Sequence, residues 1–391
     1  MPSEQSTSSP RRNKPPMTLH QRTFEHAMLR EIFEQPGALA DALATYCTDE
    51  GLREETFFSA RQALTGKESI LIAASGSSRH AGQVGEILFE DRAGIAVDVE
   101  YASEYIYRST QTLKDPCFLV ISQSGETADT SEALREAIAR GSSTIAITNN
   151  DTSSMARLAD CSLPTKAGIE RAIPATKSFT TQLLVLSLLS LYAARIRGQM
   201  TRAVVESHLR ELQAIPDIMA AVLPAWEKQV AQLAKGLQAA EAILFLGRGV
   251  HYPIAREGAL KLKESAYMHA EGYPTGELKH GPNALVDAST PLVVLATKDP
   301  LAPDSLLRYE KTLNLLGDLK KQGATVVSIV TEGDDQIAEF SAHTVEVPRS
   351  SEYVAPLYEV VPLQMLAYFT AINRGIDVDH PRNLSKAVLV E

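Results

Sequence analysis

The sequence predicts an α/β protein of two similar domains, each a doubly wound, mostly parallel sheet flanked by helices. Short apolar runs alternate with helical stretches along the chain, as in strands joined by crossover helices. Turns of small residues follow the apolar runs, and the order of runs and turns begins again near residue 240. Aligning Gly76 with Gly247 gives an internal repeat of about 171 residues, which suits a duplicated α/β domain.

The composition is that of a globular protein with several domains. The chain has 391 residues, of which 44% are hydrophobic and 22% charged, and its formal net charge is −10. The negative charge argues against broad attraction to nucleic acid or to an anionic membrane, so we expect neither partner. Three scattered cysteines, no uninterrupted apolar run of about 18 residues and a polar N-terminus lead us to expect a reduced, cytoplasmic protein.

The first half of the chain is predicted to hold a tail, a helical arm and one domain. Residues 1–16 are expected to be a disordered tail, because they are rich in serine, proline and arginine. Residues 17–60 form the arm, where apolar spacing predicts an amphipathic helix over 17–44 that is ended by Gln-Pro-Gly at 35–37. The first domain covers 61–200, with strands at 69–75, 97–101, 117–122 and 143–148 and an apolar helix at 176–196.

The second half begins with a long amphipathic helix. Residues 201–238 are expected to link the two domains, with breaks at Pro216 and Pro224. The second domain covers 239–374, with strands at 242–246, 291–296 and 325–330 and helices from Pro253, over 304–322 and over 357–374. Residues 375–391 form a tail that we expect to close over the active site.

Two serine-rich turns, SGSS at 75–78 and SQSGET at 122–127, each follow a predicted strand and precede a helix. At such a position backbone N–H groups point outward, and small hydroxyl side chains add further donors. Turns on neighbouring parallel strands converge beyond the carboxyl ends of those strands, where open α/β sheets bind ligands. The pair suits a phosphate monoester, although serines also cap helices without binding anything. Neither turn has a nucleotide-binding fingerprint.

Residues 253–287 hold the densest group of titratable side chains in an apolar setting. A helix from Pro253 places Glu257, Lys261 and Glu264 on one face, and the loop after it presents Lys279 and His280. Singly, these are ordinary helix and loop residues. Together they suit a sugar phosphate, since an imidazole can open the ring and a carboxylate can move a proton between neighbouring carbons.

Schiff-base chemistry and metal binding are two further possibilities for this sequence. A lysine near a carbonyl carbon can form a Schiff base, and Lys386 lies in the tail that we expect to cover the site. A metal site drawing on His251, His269, His280, Glu264 and Glu271 is disfavoured, because the usual ligand spacings are missing. We therefore expect no metal and no cofactor.

Five separated motifs resemble the sugar-isomerase (SIS) half of glutamine:fructose-6-phosphate amidotransferase. They are SQSGETADT at 122–130, TKSFTTQ at 176–182, EGALKLKE at 257–264, GELKHGP at 276–282 and PRNLSK at 381–386. The resemblance runs from about Phe24 to Glu391. It implies two tandem SIS domains, a sugar-phosphate substrate and a homodimer whose active sites are shared between subunits.

The resemblance also implies roles for single residues. Glu264 would move the proton between C1 and C2, supported by Glu257 and Lys261. His280 would open the ring, with the partner subunit as its candidate source, and Lys386 would be the Schiff-base lysine. The sugar phosphate would be bound at Gly76, Ser77, Ser78, Ser122, Gln123, Ser124, Thr127 and Ala175.

The sequence departs from the family at several positions. Pro2 follows Met1 where the family's glutaminase domain has its nucleophilic cysteine, and Ala175 stands where the family has a sugar-contacting serine. Ser75 replaces a common cysteine, and the stretch 273–275 differs from the family's Tyr-Ala-Ala. Without a glutaminase as ammonia source, we expect the deaminating direction, from glucosamine 6-phosphate and water to fructose 6-phosphate and ammonia.

Three alternatives stay open. The protein could be a synthase-like aminotransferase and isomerase that uses free ammonia or a partner glutaminase, or a deglycase acting on a fructosamine phosphate. From a different class, it could be a sugar-phosphate-sensing SIS binding module. We disfavour the binding module, because Glu264 and His280 are both kept and no basic helix-turn-helix candidate is present.

Overall fold

The computed structural model describes residues 22–108 and 114–386, so the predicted tail at 1–16 lies outside the described residues. The N-terminal arm contains α1 (Ala27–Tyr46), a short antiparallel pair formed by β1 (Cys47–Thr48) and β2 (Gly51–Leu52), and α2 (Phe58–Leu64). The first domain follows with β3 (Ser69–Ala74), α3 (Gly76–Ala93), β4 (Ala96–Tyr101), α4 (Ala102–Tyr105), β5 (Cys117–Ser122), α5 (Ala128–Ala139), β6 (Thr144–Thr148), α6 (Ser154–Leu158), β7 (Cys161–Pro164) and α7 (Lys177–Ile196).

The second domain is joined to the first by α8 (Arg202–Gly236). It contains β8 (Ala242–Gly247), α9 (His251–Ala266), β9 (His269–Pro274), β10 (Leu292–Ala296), α10 (Pro303–Lys321), β11 (Val326–Thr331), α11 (Asp335–Ala338), β12 (His343–Val347) and α12 (Ala355–Asn373). Two short 3-10 turns, Glu277–His280 and Pro282–Leu285, lie between β9 and β10.

Both domains have the same sheet. The strand order is β4-β3-β5-β6-β7 in the first domain and β9-β8-β10-β11-β12 in the second, and every neighbouring pair is parallel. Strand for strand the two orders are identical, which confirms the predicted duplicated, doubly wound α/β fold. Alternate residues of each central strand face opposite layers of helices, as the two sides of β3 show by joining different core clusters.

The two domains share one large core cluster. Ile72 of the first sheet and Phe245 of the second belong to it, together with apolar residues of α1, α7, α8 and α12. Helix α7 is long and apolar enough to cross a membrane, but 89% of that stretch is buried inside the protein, as in a core helix. This packing sets α3 of the first domain against α9 of the second.

Helix α1 differs from the prediction, because it begins at Ala27 and runs through Pro36 to Tyr46. Pro36 has no N–H to give to the carbonyl of Ile32, four residues earlier. The side chain of Gln35 supplies the missing donor, since its Nε2 lies 3.0 Å from Ile32 O. The Asp379 carboxylate caps the start of the helix by accepting from the N–H groups of Ala27 and Met28 at 2.6 and 2.8 Å.

Helix α8 also differs, because it continues through both Pro216 and Pro224, where breaks were predicted. An internal proline costs about 3 kcal/mol. Burying one large apolar side chain contributes roughly 1.5–3 kcal/mol, so a long apolar face outweighs two prolines. That face consists of Val205, Leu209, Leu212, Ile215, Met219, Leu223, Trp226, Val230 and Leu233.

Candidate active site

The candidate site lies where the strand order of the first sheet reverses. From β3 the chain crosses to β4 on one side and later returns to β5 on the other. β3 and β5 are paired in register up to Ala74 and Ile121, so the turns that follow them lie side by side. A crevice at such a switch point is the usual ligand site of an open α/β sheet.

The first turn, residues 75–78, leads from β3 into the first turn of α3. Ser75 is extended, and Gly76 has a φ of +53°, a left-handed conformation that favours glycine. Ser77 and Ser78 then belong to the N-terminal turn of α3, where the helix leaves backbone N–H groups unpaired. Ser78 is buried, and its Oγ accepts a hydrogen bond from Gln182 Nε2 at 3.1 Å.

The second turn, residues 122–127, folds around its own hydroxyl groups. Ser122 Oγ accepts the N–H of Gly125 at 3.1 Å and lies 3.1 Å from Thr127 Oγ1. Ser124 Oγ accepts the N–H of Glu126 at 3.2 Å. Gly125 has a φ of +67°, and a Cβ there would lie 2.1 Å from Ser153 Oγ, so no other residue fits without movement.

A cleft of about 270 Å³ opens between these turns and the second domain. It collects every predicted binding residue together with three of the five predicted catalytic residues. The lining residues are Ser75, Gly76, Ser77, Ser78, Ile121, Ser122, Gln123, Ser124, Thr127, Thr130, Ile173, Ala175, Lys261, Glu264, Leu384, Ser385 and Lys386.

Helix α9 carries the predicted stripe of charges toward this cleft. Lys261 Nζ lies 2.5 Å from Glu264 and 3.5 Å from Glu257, as expected for positions three and four residues apart. Burial alone would lower the pKa of Lys261, but the two carboxylates outweigh it and raise that pKa. Lys261 therefore stays a cation, with Glu264 on its cleft side and Glu257 on its buried side.

Glu257 lies below the cleft rather than in its lining, and it contacts the first domain. Its Oε2 is 2.8 Å from His80 Nδ1, on α3. Burial would raise the pKa of Glu257, but Lys261 and His80 outweigh burial and hold it below its usual value. Burial is the largest influence on His80 and lowers its pKa, so His80 is a neutral imidazole that donates its Nδ1–H.

The last described residue, Lys386, lies at the mouth of the cleft. Its Nζ donates to Glu170 Oε2 at 2.6 Å and to the carbonyl of Ala172 at 2.7 Å. Burial would raise the pKa of Glu170, but Lys386 and hydrogen bonds from Ser178 and Thr176 outweigh it and lower that pKa. A buried carboxylate of the first domain thus anchors the C-terminal segment.

His280 is the predicted catalytic residue that this chain does not bring to its own cleft. It ends the 3-10 turn Glu277–His280 and is exposed to solvent. Its neighbour Lys279 points to α10, where its Nζ lies 2.7 Å from Asp318. His280 therefore does not line the cleft of the same chain.

Three buried residues at the site were not predicted from sequence: His80, Glu170 and Gln182. Gln182 is the last residue of the TKSFTTQ motif, and His80 lies two residues beyond the SGSS turn, so both are next to or within motifs that the sequence already shows. Glu170 had no local signal, because its importance comes from Lys386, 216 positions later in the chain.

Fold and cleft together define a class, a two-domain α/β protein with a hydroxyl-lined cleft at the switch point of its first sheet. A family model described as the SIS domain matches residues 63–192 and 236–374, which is more than half of the chain. The chain therefore belongs to the SIS domain family, with two SIS domains in tandem.

Comparison with known proteins agrees with the resemblance seen in the sequence. The chain is 40% identical over 382 residues to a glutamine–fructose-6-phosphate aminotransferase (isomerizing) of Gloeobacter violaceus, covering 96% of this chain and 60% of that protein. A similar enzyme of Chlorobaculum tepidum is 41% identical, with 59% of it covered. The chain thus spans about three-fifths of the length of the curated relatives that it matches.

Two similar solved structures are an aminotransferase domain and a deaminase. The C-terminal domain of glucosamine-fructose-6-phosphate aminotransferase from Francisella tularensis is 36% identical, with a TM-score of 0.85 over 92% of this chain and 98% of that one. Glucosamine-6-phosphate deaminase from Thermotoga maritima is 26% identical, with a TM-score of 0.69 over 93% and 99%.

Proposed function

We propose that this chain is an amino-sugar-phosphate deaminating isomerase, which converts glucosamine 6-phosphate and water into fructose 6-phosphate and ammonia. The observation that carries the proposal is the composition of one cleft. A cradle of serine and threonine hydroxyls, the Lys261–Glu264 pair and Lys386 all line the same space of about 270 Å³. A phosphate group and a reacting carbon skeleton can therefore be held together.

The phosphate binds in the cradle formed by the turns 75–78 and 122–127. Hydroxyl and backbone N–H groups there offer hydrogen bonds, and the N-terminus of α3 adds its partial positive charge. Ala175 offers no hydrogen bond where the family has a serine, so the sugar is held by fewer contacts at that point. Binding the phosphate fixes the sugar chain relative to Glu264.

Glu264 transfers the proton that interconverts the aldose and the ketose. In the open-chain substrate its carboxylate removes the proton from C2, and the electron pair of that C–H bond forms a C1=C2 double bond while the C1 oxygen takes up a proton. The resulting enolamine then receives the proton from Glu264 at C1, which leaves a C2 iminium. Lys261 holds a fixed positive charge 2.5 Å from this carboxylate throughout.

Hydrolysis completes the reaction. Water adds to the C2 iminium, the C2–N bond breaks, and ammonia leaves as the C2 ketone of fructose 6-phosphate forms. The side chains of Glu264 and Lys386 are 23% and 26% exposed, so water reaches the reacting end of the cleft. Lys386 closes the cleft from the C-terminal segment, and a Schiff-base role would require its amine to leave Glu170.

Ring opening requires a second copy of the chain. We propose a homodimer in which the exposed loop at 276–281 reaches the cleft of the partner, so that His280 acts as the acid and base that opens the pyranose ring. The absence of His280 from the lining of its own chain's cleft supports this arrangement.

The second candidate is the reverse sense, in which fructose 6-phosphate and ammonia form glucosamine 6-phosphate. It is favoured by the 40% and 41% identity to relatives whose names are those of isomerizing aminotransferases. Both senses use the same proton transfer at Glu264, so the cleft serves either. The direction of the reaction then depends on the supply of ammonia.

The test is product analysis with purified protein. Given glucosamine 6-phosphate, the enzyme should release ammonia and fructose 6-phosphate in equal amounts. Given fructose 6-phosphate with ammonium chloride, it should form amino sugar only at high ammonium concentration. Efficient synthesis at low ammonium, with no release in the first assay, would favour the second candidate.

A further inference from the structure

The serine hydroxyls of the cradle share a hydrogen-bonding pattern. A hydroxyl has one proton to donate and two lone pairs that accept. Ser122 Oγ accepts the N–H of Gly125, and Ser124 Oγ accepts the N–H of Glu126. Ser78 Oγ accepts in the same way, but its donor is a side chain, Gln182 Nε2 at 3.1 Å. Each of these three oxygens thus accepts from the protein. For Ser78 and Ser124 this favours donation of the hydroxyl proton toward the cleft, whereas Ser122 Oγ has a second contact, with Thr127 Oγ1 at 3.1 Å.

Gln182 is an unusual residue for its position. It lies on α7, which is buried along most of its length, and only 2% of the Gln182 surface is exposed. Among the described residues, its Oε1 has no hydrogen-bond partner. Burying a primary amide with its acceptor oxygen unused is unfavourable. Within the described part of the chain, the side chain of Gln182 makes its hydrogen bond to Ser78, a residue of the cleft.

We infer that Gln182 fixes Ser78 as a hydrogen-bond donor and thereby makes the cradle selective for an acceptor-only ligand, the phosphate dianion. This inference rests on the proposed function for the identity of the sugar phosphate. A phosphate monoester loses its second proton with a pKa near 6, so at neutral pH it presents oxygens that only accept. A hydroxyl donor fixed at Ser78 matches that state and disfavours the protonated monoanion. Gln182 is then a positioning residue that acts through Ser78.

The experiment is a double-mutant cycle read by calorimetric titration at pH 8, with fructose 6-phosphate and inorganic phosphate as probes. Gln182→Met keeps the volume and removes the donor, so it should weaken binding of either probe by about tenfold. Ser78→Ala should weaken binding by a similar factor. In the Ser78→Ala background, Gln182→Met should have no further effect, because the hydroxyl that it orients is absent.

A matched control separates this role from general packing. Gln364 is also fully buried, and its Nε2 contacts Thr176 O at 3.3 Å, outside the cleft lining. Gln364→Met should leave the dissociation constants of both probes within about twofold of the wild type. Thermal melting of every variant reports whether the fold is kept.

Gln182→Glu supplies a second readout that a packing role would not change. At pH 8 a carboxylate there can only accept, so Ser78 would turn its proton away from the ligand and binding should fall by more than in Gln182→Met. Burial raises the pKa of a carboxyl, so near pH 6 the side chain becomes protonated and can donate again. The ratio of variant to wild-type affinity should therefore recover as the pH falls.

The outcomes are distinguishable. If the wild type binds inorganic phosphate but not fructose 6-phosphate, the proposed function fails while the cycle still tests Gln182. If the wild type binds neither probe, both fail. Additive effects of Gln182→Met and Ser78→Ala, or an affinity ratio for Gln182→Glu that does not change with pH, would overturn the inference.

Discussion

His80 Nδ1 lies 2.8 Å from Glu257 Oε2, and this hydrogen bond joins the helix that begins at the phosphate cradle to the helix that carries Glu264. From Glu257 the contacts continue to Lys261 and from Lys261 to Glu264. The line of contacts crosses from the first domain to the second. It couples the position of the proposed general base to the domain that we propose to bind the phosphate.

Replacing His80 should therefore impair turnover more than binding. His80→Phe removes one donor and leaves the Glu257 carboxylate with Lys261 and Ser77, so kcat should fall by roughly 10- to 100-fold with little change in KM. His80→Asn places an amide N–H near the position of Nδ1 and should recover most of the activity. An equal loss of kcat in the two variants would show that the hydrogen bond from His80 to Glu257 does not support turnover.

Subunit exchange tests the source of His280. Glu264→Gln and His280→Ala should each be inactive as homodimers. In a mixed dimer one cleft would carry both changes and the other cleft neither. Mixing equal amounts after dissociation should therefore restore about a quarter of the wild-type activity. No recovery, with mixed dimers shown to be present, would contradict a shared site.

Gly125 tests the second turn of the cradle. Gly125→Ala adds a Cβ at 2.1 Å from Ser153 Oγ on a backbone whose φ is +67°. The turn must move, so we expect loss of fructose 6-phosphate binding by calorimetry as well as lower stability. Gly141 is a matched control, since its φ is +81° and nothing lies within 4 Å of a Cβ there. Gly141→Ala should cost about 1–2 kcal/mol of stability and leave binding unchanged.

His251 in the second domain should make stability depend on pH. Its Nδ1 lies 2.9 Å from Glu359, and its Nε2 lies 3.5 Å from Glu352. Burial alone would lower the pKa of His251, but these two carboxylates outweigh it and raise that pKa to about 9. The imidazolium therefore binds its proton more tightly in the folded state than in the unfolded state.

The direction of the pH dependence follows from the raised pKa of His251 in the folded state. The stabilisation is complete below the unfolded pKa of about 6.5 and is lost as the pH rises through 9. The free energy of unfolding should fall by roughly 1–3 kcal/mol over that window, measured by urea denaturation. His251→Gln should be less stable at pH 6.5 and should show a flatter dependence up to pH 9. An unchanged slope would assign the pH dependence to other groups.

The central strands were predictable and several edge strands were not. β3, β5, β8 and β10 are apolar on both faces, so they appear in the sequence as uninterrupted apolar runs. β7, β9 and β12 lie at sheet edges, and their buried and exposed residues are mixed. β9 in addition contains glycine and proline, which favoured the prediction of a loop there. Tertiary pairing, rather than local pattern, makes it a strand.

The candidate site also contains residues that local sequence patterns predict and residues that they do not. Residues of the turns and of α9 were found because their chemistry is local in sequence, at a strand end or at helical spacing. His80, Glu170 and Gln182 act through partners more than 100 positions away. Three predicted helix interruptions, at 35–37, Pro216 and Pro224, were wrong for a related reason, since a side-chain donor at Gln35 and the buried face of α8 overrode the local preference of proline.

The most direct test of the account compares ammonia release from glucosamine 6-phosphate by the wild type and by Glu264→Gln. The wild type should release ammonia and fructose 6-phosphate in equal amounts, and the variant should release ammonia at least about 10²-fold more slowly. The variant should still bind fructose 6-phosphate, because its cradle is unchanged. Similar rates in the two proteins, or no release by a wild type that binds the sugar phosphate, would contradict a deaminating isomerase that uses Glu264.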